Sequence, residues 1–261
     1  MKILVLTDYF YPHIGGVEKV TFETSKRLAK VGYDVIIVTL NTEKGKDFEI
    51  LEGVKIYRIR SISLAGVVGA QLAISPYAPF KLLNVCKMEN PDIIHINHRF
   101  FFTTLCALAL RPFLKKRLII TLHTGKVIFN KRSLDLIVKI FEKTLTRQIL
   151  KACDKVIAVS DAIKRYVACL DASSNKVTVI PNGIDLDEFR PKENSGDKQN
   201  KTKRIVFVGR LISNKGIQYL VEAAPSIVKE YANVRFVIVG DGPLNNYMML
   251  LQFFESFLYH I

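Results

Sequence analysis

Arg210 and Lys215 stand in the run Arg204-Ile-Val-Phe-Val-Gly-Arg-Leu-Ile-Ser-Asn-Lys-Gly216. Ile205, Val206 and Val208 read as a buried strand, Gly209 frees the turn, and a helix is expected to open at Lys215. Both cations then fall at the carboxyl end of a strand, beside a helix amino terminus. Open α/β sheets bind ligands at that edge, and a helix amino terminus already favours anions. Two further positive charges there suit a diphosphate. A solvated pair of surface cations would show the same spacing, so the assignment needs a second half-site.

The opening of the chain supplies one. Lys2–Thr7 is a short apolar strand, followed by Asp8-Tyr-Phe-Tyr-Pro-His-Ile-Gly-Gly-Val-Glu18 and an amphipathic helix. On that helix Val17, Val20, Thr21, Thr24, Leu28 and Val31 recur at spacings of three and four. Gly15 and Gly16 lie just before it, where glycine permits positive φ and lets a phosphate or sugar hydroxyl approach bare amides. The pair is neither a G-x-G-x-x-G fingerprint nor a Walker loop, since no G-K-[ST] follows. By itself it equally marks a tight turn. His123 closes the apolar run Leu118-Ile-Ile-Thr-Leu-His, which puts its ring at the carboxyl edge of a sheet, although a structural histidine would read the same way. His95 and His98 end the preceding strand. Their spacing could serve a metal, but no third Cys, His or Asp completes a site.

Composition narrows the setting. At 261 residues, 49% of them hydrophobic, the chain can hold one large or two ordinary domains. Cys86, Cys106, Cys153 and Cys169 are widely spaced and form no C-x-x-C, as expected of reduced thiols in a cytoplasmic protein. Asp8 interrupts the first apolar run too early for a signal peptide. The apolar stretches Leu64–Ile74 and Phe100–Leu110 fall short of the roughly 18 residues that a membrane span needs. The formal charge of +14 attracts polyanions: nucleotide sugars, anionic lipid headgroups or nucleic acid. No nucleic-acid motif is visible, so nucleic acid is not an expected partner. An anionic membrane surface is, because each basic residue near it contributes on the order of 1 kcal/mol. A solvated basic surface accounts for the charge equally well.

The elements that must position these residues alternate. Candidate strands are Lys2–Thr7, Asp34–Leu40, Val54–Ile59, Asp92–Asn97, Arg117–His123, Asp154–Val159 and Lys176–Ile180, with helices such as Ser133–Ala152 and Asp161–Leu170 between them. Most are continuous apolar runs, as in parallel strands covered on both faces, and the alternation predicts a doubly wound α/β sheet. The polar stretch Lys192–Lys203 reads as a linker. After it the pattern restarts with strand Arg204–Val208, helix Lys215–Tyr231 and strand Val234–Val239. The expected domains are residues 1–191, the linker 192–203 and a second unit 204–261.

Six motifs occur in order: Pro12-His-Ile-Gly-Gly-Val-Glu18, Thr121-Leu-His-Thr124, Val156-Ile-Ala-Val-Ser160, Ile180-Pro-Asn-Gly-Ile-Asp-Leu-Asp-Glu-Phe-Arg-Pro191, Val208-Gly-Arg-Leu211 with Lys215-Gly216, and Val239-Gly-Asp-Gly-Pro243. Together they resemble the family 4 (group 1) glycosyltransferases of the GT-B fold, in which two Rossmann-like domains face each other across a substrate cleft. The amino-terminal stretch is also similar to the catalytic subunits that add N-acetylglucosamine to phosphatidylinositol. The resemblance implies a retaining transfer from a nucleotide diphosphate sugar to a glycan or lipid-linked acceptor. No metal or other cofactor is expected, and the protein is placed in the cytoplasm or peripherally on the cytoplasmic membrane face. It implies that His123 contacts the donor sugar near the reacting centre. Gly15, Gly16, Arg210 and Lys215 would serve the donor diphosphate, with Glu18 towards the acceptor and Asn182 beside the cleft, while the strand-end position of His95 and His98 could let them line the acceptor side. Helix-terminus electrostatics explain Glu18 equally well, and Asn182-Gly is a turn signal whatever the function.

One departure stands out. The family's E-x7-E carboxylate pair has no counterpart assignable here, and neither Glu230 nor Glu255 can be substituted for it. The stretch after Lys203 holds two strands and two helices in this reading, and Met248–Ile261 scarcely shows a polar face. A truncated or frame-shifted frame with little transfer activity is therefore expected, the alternative being a non-catalytic module that keeps acceptor or membrane affinity.

Overall fold

A computed structural model describes residues 1–64, 72–127, 132–170, 173–190, 202–231, 233–244 and 258–260. The linker expected at 192–203 lies largely outside them, as does most of the 248–261 tail. The chain divides into two compact units, Met1–Asp185 and Leu186–Ile261.

Unit 1 opens with β1 (Lys2–Leu6), α1 (Gly16–Lys30), β2 (Asp34–Asn41), β3 (Phe48–Leu51) and β4 (Val54–Arg60). The short strands β5 (Ile62–Ser63) and β6 (Ala73–Ile74) pair with each other. Then come α2 (Ala78–Glu89), β7 (Ile93–Ile96), α3 (Phe102–Ala109), α4 (Arg111–Leu114) and β8 (Arg117–Leu122). The unit ends with α5 (Arg132–Phe141), a π-helical turn (Glu142–Thr146), α6 (Arg147–Ala152), β9 (Lys155–Ala158), α7 (Asp161–Ala168) and β10 (Val177–Val179). The expected single helix Ser133–Ala152 is thus broken by one wide turn. A π turn leaves the amphipathic pattern almost intact, which is why periodicity does not reveal it.

The main sheet has the order β10-β9-β8-β7-β1-β2-β4-β3, parallel except for β3 against β4. Even-numbered residues of its central strands (Leu4, Leu6, Ile94, Ile96, Leu118, Ile120) bury beneath α2, α3, α6 and α7 in the larger core. Odd-numbered residues face the other way. Ile3 and Val5, with Val35, Ile37, Val54 and Ile56, pack against Phe22 and Leu28 of α1. On the same face, α1 forms one wall (Val20, Thr21, Thr24, Ser25, Leu28) of a cavity of about 370 Å³ floored by odd-numbered residues of β7, β8 and β9.

Unit 2 contains β11 (Lys203–Val208), α8 (Ile217–Glu230), β12 (Val234–Val239) and β13 (Leu258–His260), the strands parallel in the order β11-β12-β13. Ile205, Phe207, Phe236 and Ile238 pack under Ile217, Val221 and Ala224 of α8. Two expectations are corrected here. A third strand joins β12 where only two were expected, and the helix begins at Ile217 rather than Lys215. Lys215 ends a 3-10 turn, and Gly216 with φ of 76° starts the helix in a left-handed conformation that glycine adopts without strain.

Candidate functional site

The sheet reverses its direction of growth between β1 and β7, and ligands of open α/β sheets collect at such switch points, outside the carboxyl ends of the strands. Three loops meet at this edge of unit 1. The first, after β1, begins with Asp8, whose buried carboxylate accepts from the Phe102 and Thr103 amides at 2.5 and 2.9 Å and from the Thr103 hydroxyl at 2.7 Å. It therefore caps α3 from far away in sequence. Burial raises its pKa to about 6 against the pull of those hydrogen bonds.

Gly15 and Gly16 head α1, and their conformation corrects an expectation. Gly15 has φ of −163°, an extended backbone open to any residue, and neither glycine has positive φ. What Gly15 supplies is room: a Cβ there would lie 2.1 Å from Oε2 of Glu18. Nothing lies within 4 Å of a Cβ at Gly16. Glu18 itself is buried in the first turn of α1, at the positive end of the helix dipole.

The loops after β7 and β8 carry the histidines. His95 Nε2 and the Thr121 hydroxyl are 2.8 Å apart, and Asn97 donates to the Thr21 hydroxyl of α1 at 2.8 Å. The Phe100 amide donates to His98 Nδ1 at 3.3 Å, leaving Nε2, 3.2 Å from the Thr124 hydroxyl, as the protonated nitrogen of a neutral ring. His123 follows β8 directly. Its Nε2 is buried and has no hydrogen-bond partner among the described residues. Burial lowers all three pKa values, to about 4 at His95, 3 at His98 and 4 at His123, with the Arg99 charge adding to the effect at His98. All three rings are uncharged at neutral pH.

In unit 2, Arg210 and Lys215 are both exposed on the segment joining β11 to α8. That segment is fixed by backbone contacts with the Gly240-Asp-Gly242 turn. The Gly209 amide donates to Val239 O and the Leu211 amide to Asp241 O, both at 2.9 Å.

A family model described as Glycosyltransferase Family 4 matches residues 14–188, and one described as Glycosyl transferases group 1 matches residues 202–255. The chain belongs to glycosyltransferase family 4. It is 26% identical over 248 residues to the phosphatidylinositol N-acetylglucosaminyltransferase GPI3 subunit of Saccharomyces cerevisiae, covering 93% of this chain and 53% of that protein. The corresponding gpi3 subunit of Schizosaccharomyces pombe is 27% identical over 248 residues, covering 92% of this chain and 51% of that one. The chain thus spans about half the length of these relatives. Among solved structures, Anabaena HepE in complex with UDP superimposes with a TM-score of 0.71 at 16% identity, over 100% of this chain and 69% of that one. Arabidopsis thaliana starch synthase IV bound to ADP and acarbose does so at 0.66 and 14%, over 100% and 73%. The fold is that of the GT-B glycosyltransferases.

Within this family member, the cavity on unit 1 gathers His95, His123 and Asn182, together with Asn97 and Thr121. His98, Glu18, Gly15 and Gly16 do not line it. Its lower part, floored by Ile3, Ile93, Ile119 and Ile157, is apolar, so only the upper rim coincides with the candidate residues. Arg210 and Lys215 belong to the other unit. Among the described residues no group of three His, Cys, Asp or Glu is placed to hold a metal. No helix among them is long and apolar enough to cross a membrane. Cys86, Cys106 and Cys153 are buried free thiols, and burial raises their pKa to about 11, 12 and 12.

Sequence reasoning passes over Asp8, Arg99, Glu142 and Tyr166. Their signal is faint: a carboxylate directly after an apolar strand, an arginine between a strand end and three phenylalanines, and a glutamate on the inner stripe of an amphipathic helix.

Proposed function

We infer that the protein transfers a sugar from a nucleotide diphosphate sugar to an acceptor, with retention and without a metal ion. The observation that carries this reading is the unpartnered Nε2 of His123 at the carboxyl edge of the sheet. A buried polar atom left unsatisfied is costly and asks for an explanation, and a sugar hydroxyl would satisfy it. The depressed pKa of His123 matters too, because an uncharged ring does not repel the positive charge that develops at an anomeric carbon. Arg210 and Lys215 would neutralise the departing diphosphate, the task a divalent ion performs elsewhere. UDP in the HepE structure and ADP in the starch synthase structure support a nucleoside diphosphate as the ligand class.

The test is calorimetric binding of UDP and ADP. Arg210→Ala and Lys215→Ala should each weaken the preferred nucleotide about tenfold, the scale of a charge-assisted hydrogen bond. Unchanged affinity in both variants would remove the diphosphate assignment. In any transfer assay, a product with the donor's anomeric configuration and activity that persists in EDTA would support retention and metal independence.

A lipid-linked acceptor fits the relatives named for phosphatidylinositol, and one surface of unit 1 suits a lipid bilayer. Leu136, Ile137 and Ile140 of α5 are 58, 60 and 54% exposed. Arg132, Lys139 and Lys143 lie exposed beside them. Aliphatic residues flanked by cations match an anionic interface. The affinity for phosphatidylserine vesicles read by co-sedimentation should fall at least about a hundredfold in an Ile137→Ser, Ile140→Ser double variant, since burying each such side chain contributes roughly 1.5–3 kcal/mol. Equal sedimentation of variant and parent would exclude this face.

A further inference from the structure

Arg99 is fully buried, a position that a guanidinium occupies only when its donors are matched. Here all five N–H groups are matched. Nε and Nη2 donate to Glu142 Oε1 at 3.1 and 2.8 Å. Nη1 donates to the carbonyl and the hydroxyl of Thr124 at 2.6 and 3.1 Å, and Nη2 to the Gly125 carbonyl at 2.6 Å. The Tyr166 hydroxyl donates to Glu142 Oε2. The guanidinium carbon Cζ lies 4.3 Å from the Phe100 ring centroid and 5.3 Å from that of Tyr166.

Stability alone does not account for this arrangement. An apolar set of the same volume typically matches or exceeds the stability of a buried ion pair. What a guanidinium adds is a rigid fork that grips several acceptors at once, and here two of those acceptors are backbone carbonyls. They belong to Thr124 and Gly125, the residues directly after His123. The His123 ring has no partner at Nε2, so its placement depends on its backbone flanks: β8 on one side and the gripped loop on the other. Glu142 sits in the π-helical turn, a local irregularity frequently found at functional sites, and that turn brings the carboxylate to Arg99.

We propose that Arg99, Glu142 and Tyr166 form a clamp that fixes the loop after β8 and so positions His123 and Thr124 towards the sugar of the donor. They are positioning residues, and their contribution to sugar recognition rests on the function inferred above. The clamp spans three elements: the loop after β7, the turn between α5 and α6, and α7. His98 is tied to the same point, through its contact with the Thr124 hydroxyl.

Arg99→Lys and Tyr166→Phe test the clamp without leaving a large hole. Lysine keeps the charge but cannot fork to both carbonyls and the carboxylate. Phenylalanine keeps the packing and removes two hydrogen bonds, one donated to Glu142 and one accepted from Arg99 Nη2 at 3.5 Å. In each variant, backbone amide order parameters at Thr124–Lys126 should fall from about 0.85 towards 0.6, with those of β1 and β2 unchanged. Affinity for UDP-N-acetylglucosamine should fall about tenfold while affinity for UDP alone stays the same, a split that general loss of structure would not produce. Unchanged order parameters in both variants would overturn the clamp, and so would equal weakening of the two ligands. If the parent chain binds neither ligand, the functional reading fails, and the order parameters still decide whether the clamp exists.

Discussion

In unit 1 the turn after the first strand draws on long-range side-chain bonds beside its backbone bonds, whereas in unit 2 the corresponding turn meets its neighbour chiefly through backbone. After β1, Asp8 reaches Phe102 and Thr103 of α3, and buried Arg58 donates to Tyr11 O at 2.8 Å. After β11, the Gly209 and Leu211 amides bond directly to the Val239 and Asp241 carbonyls of the neighbouring turn. Unit 1 therefore places its candidate groups through titratable and long-range partners, and its geometry should respond to pH. Unit 2 fixes the start of its loop through backbone bonds, with Gln218 Nε2 donating to Ser213 O at 2.9 Å further along, and Arg210 and Lys215 remain exposed. The same contrast reverses the meaning of the glycines. Gly15-Gly16 resembles a ligand loop in sequence yet has no positive φ, while Gly240 and Gly242, at φ of 142° and 159°, lie where two chain segments touch.

The largest effect expected from this contrast is at Gly240. Its φ is 142°, and a Cβ there would stand 2.0 Å from the Gly209 carbonyl oxygen. A backbone atom cannot swing aside as a side chain does, so Gly240→Ala must separate the two loops or distort both. Strain and overpacking together should cost unit 2 about 3 kcal/mol. Gly16→Ala is the matched control. It meets nothing within 4 Å and should stay within about 0.5 kcal/mol. Chemical denaturation followed by hydrogen exchange at β11 and β12 separates the two cases. A Gly240→Ala protein as stable as Gly16→Ala would show that the loops tolerate separation, and the backbone account of unit 2 would fail.

How far the sequence reveals this molecule depends on the range of the contacts concerned. The parallel strands are legible because a strand buried on both faces must be a continuous apolar run, and Val234–Val239 matches its expected span. Phe48–Leu51 escapes such reading: it is a short edge strand with exposed Phe48 and Ile50, and nothing in its composition sets it apart from a loop. At the site, His95, His98 and His123 can be placed at strand ends because strand ends can be read. The grip of Arg99 on Glu142 cannot, since the two residues are 43 apart and no local period links them. Asp8 and Thr103, 95 apart, present the same difficulty. Periodicity reports which face a residue occupies and is silent on which distant residue it meets.

The smaller effect is the pH response that unit 1 should show. His95, His98 and His123 titrate near 6.5 when unfolded and near 4, 3 and 4 when folded, chiefly because burial disfavours the charged ring. Between pH 6.5 and 4 the unfolded chain therefore binds more protons at these sites, and stability falls as pH falls. Asp8 works in the opposite sense. Its folded pKa of about 6 lies above the ordinary value of 3.8, so its contribution is full below pH 3.8 and is lost as pH rises through 6. Three groups oppose one, and the histidines prevail. Melting followed by unit 1 amide signals should drop by on the order of a few degrees between pH 7.5 and 5.5 at constant ionic strength. The drop should shrink in His98→Asn, which removes one of the three, and grow in Asp8→Asn, which removes the opposing group. A melting temperature flat across this interval, or a slope unmoved by both substitutions, would mean that these rings take up protons in the folded state as readily as in water, and that burial does not set the charge of the site.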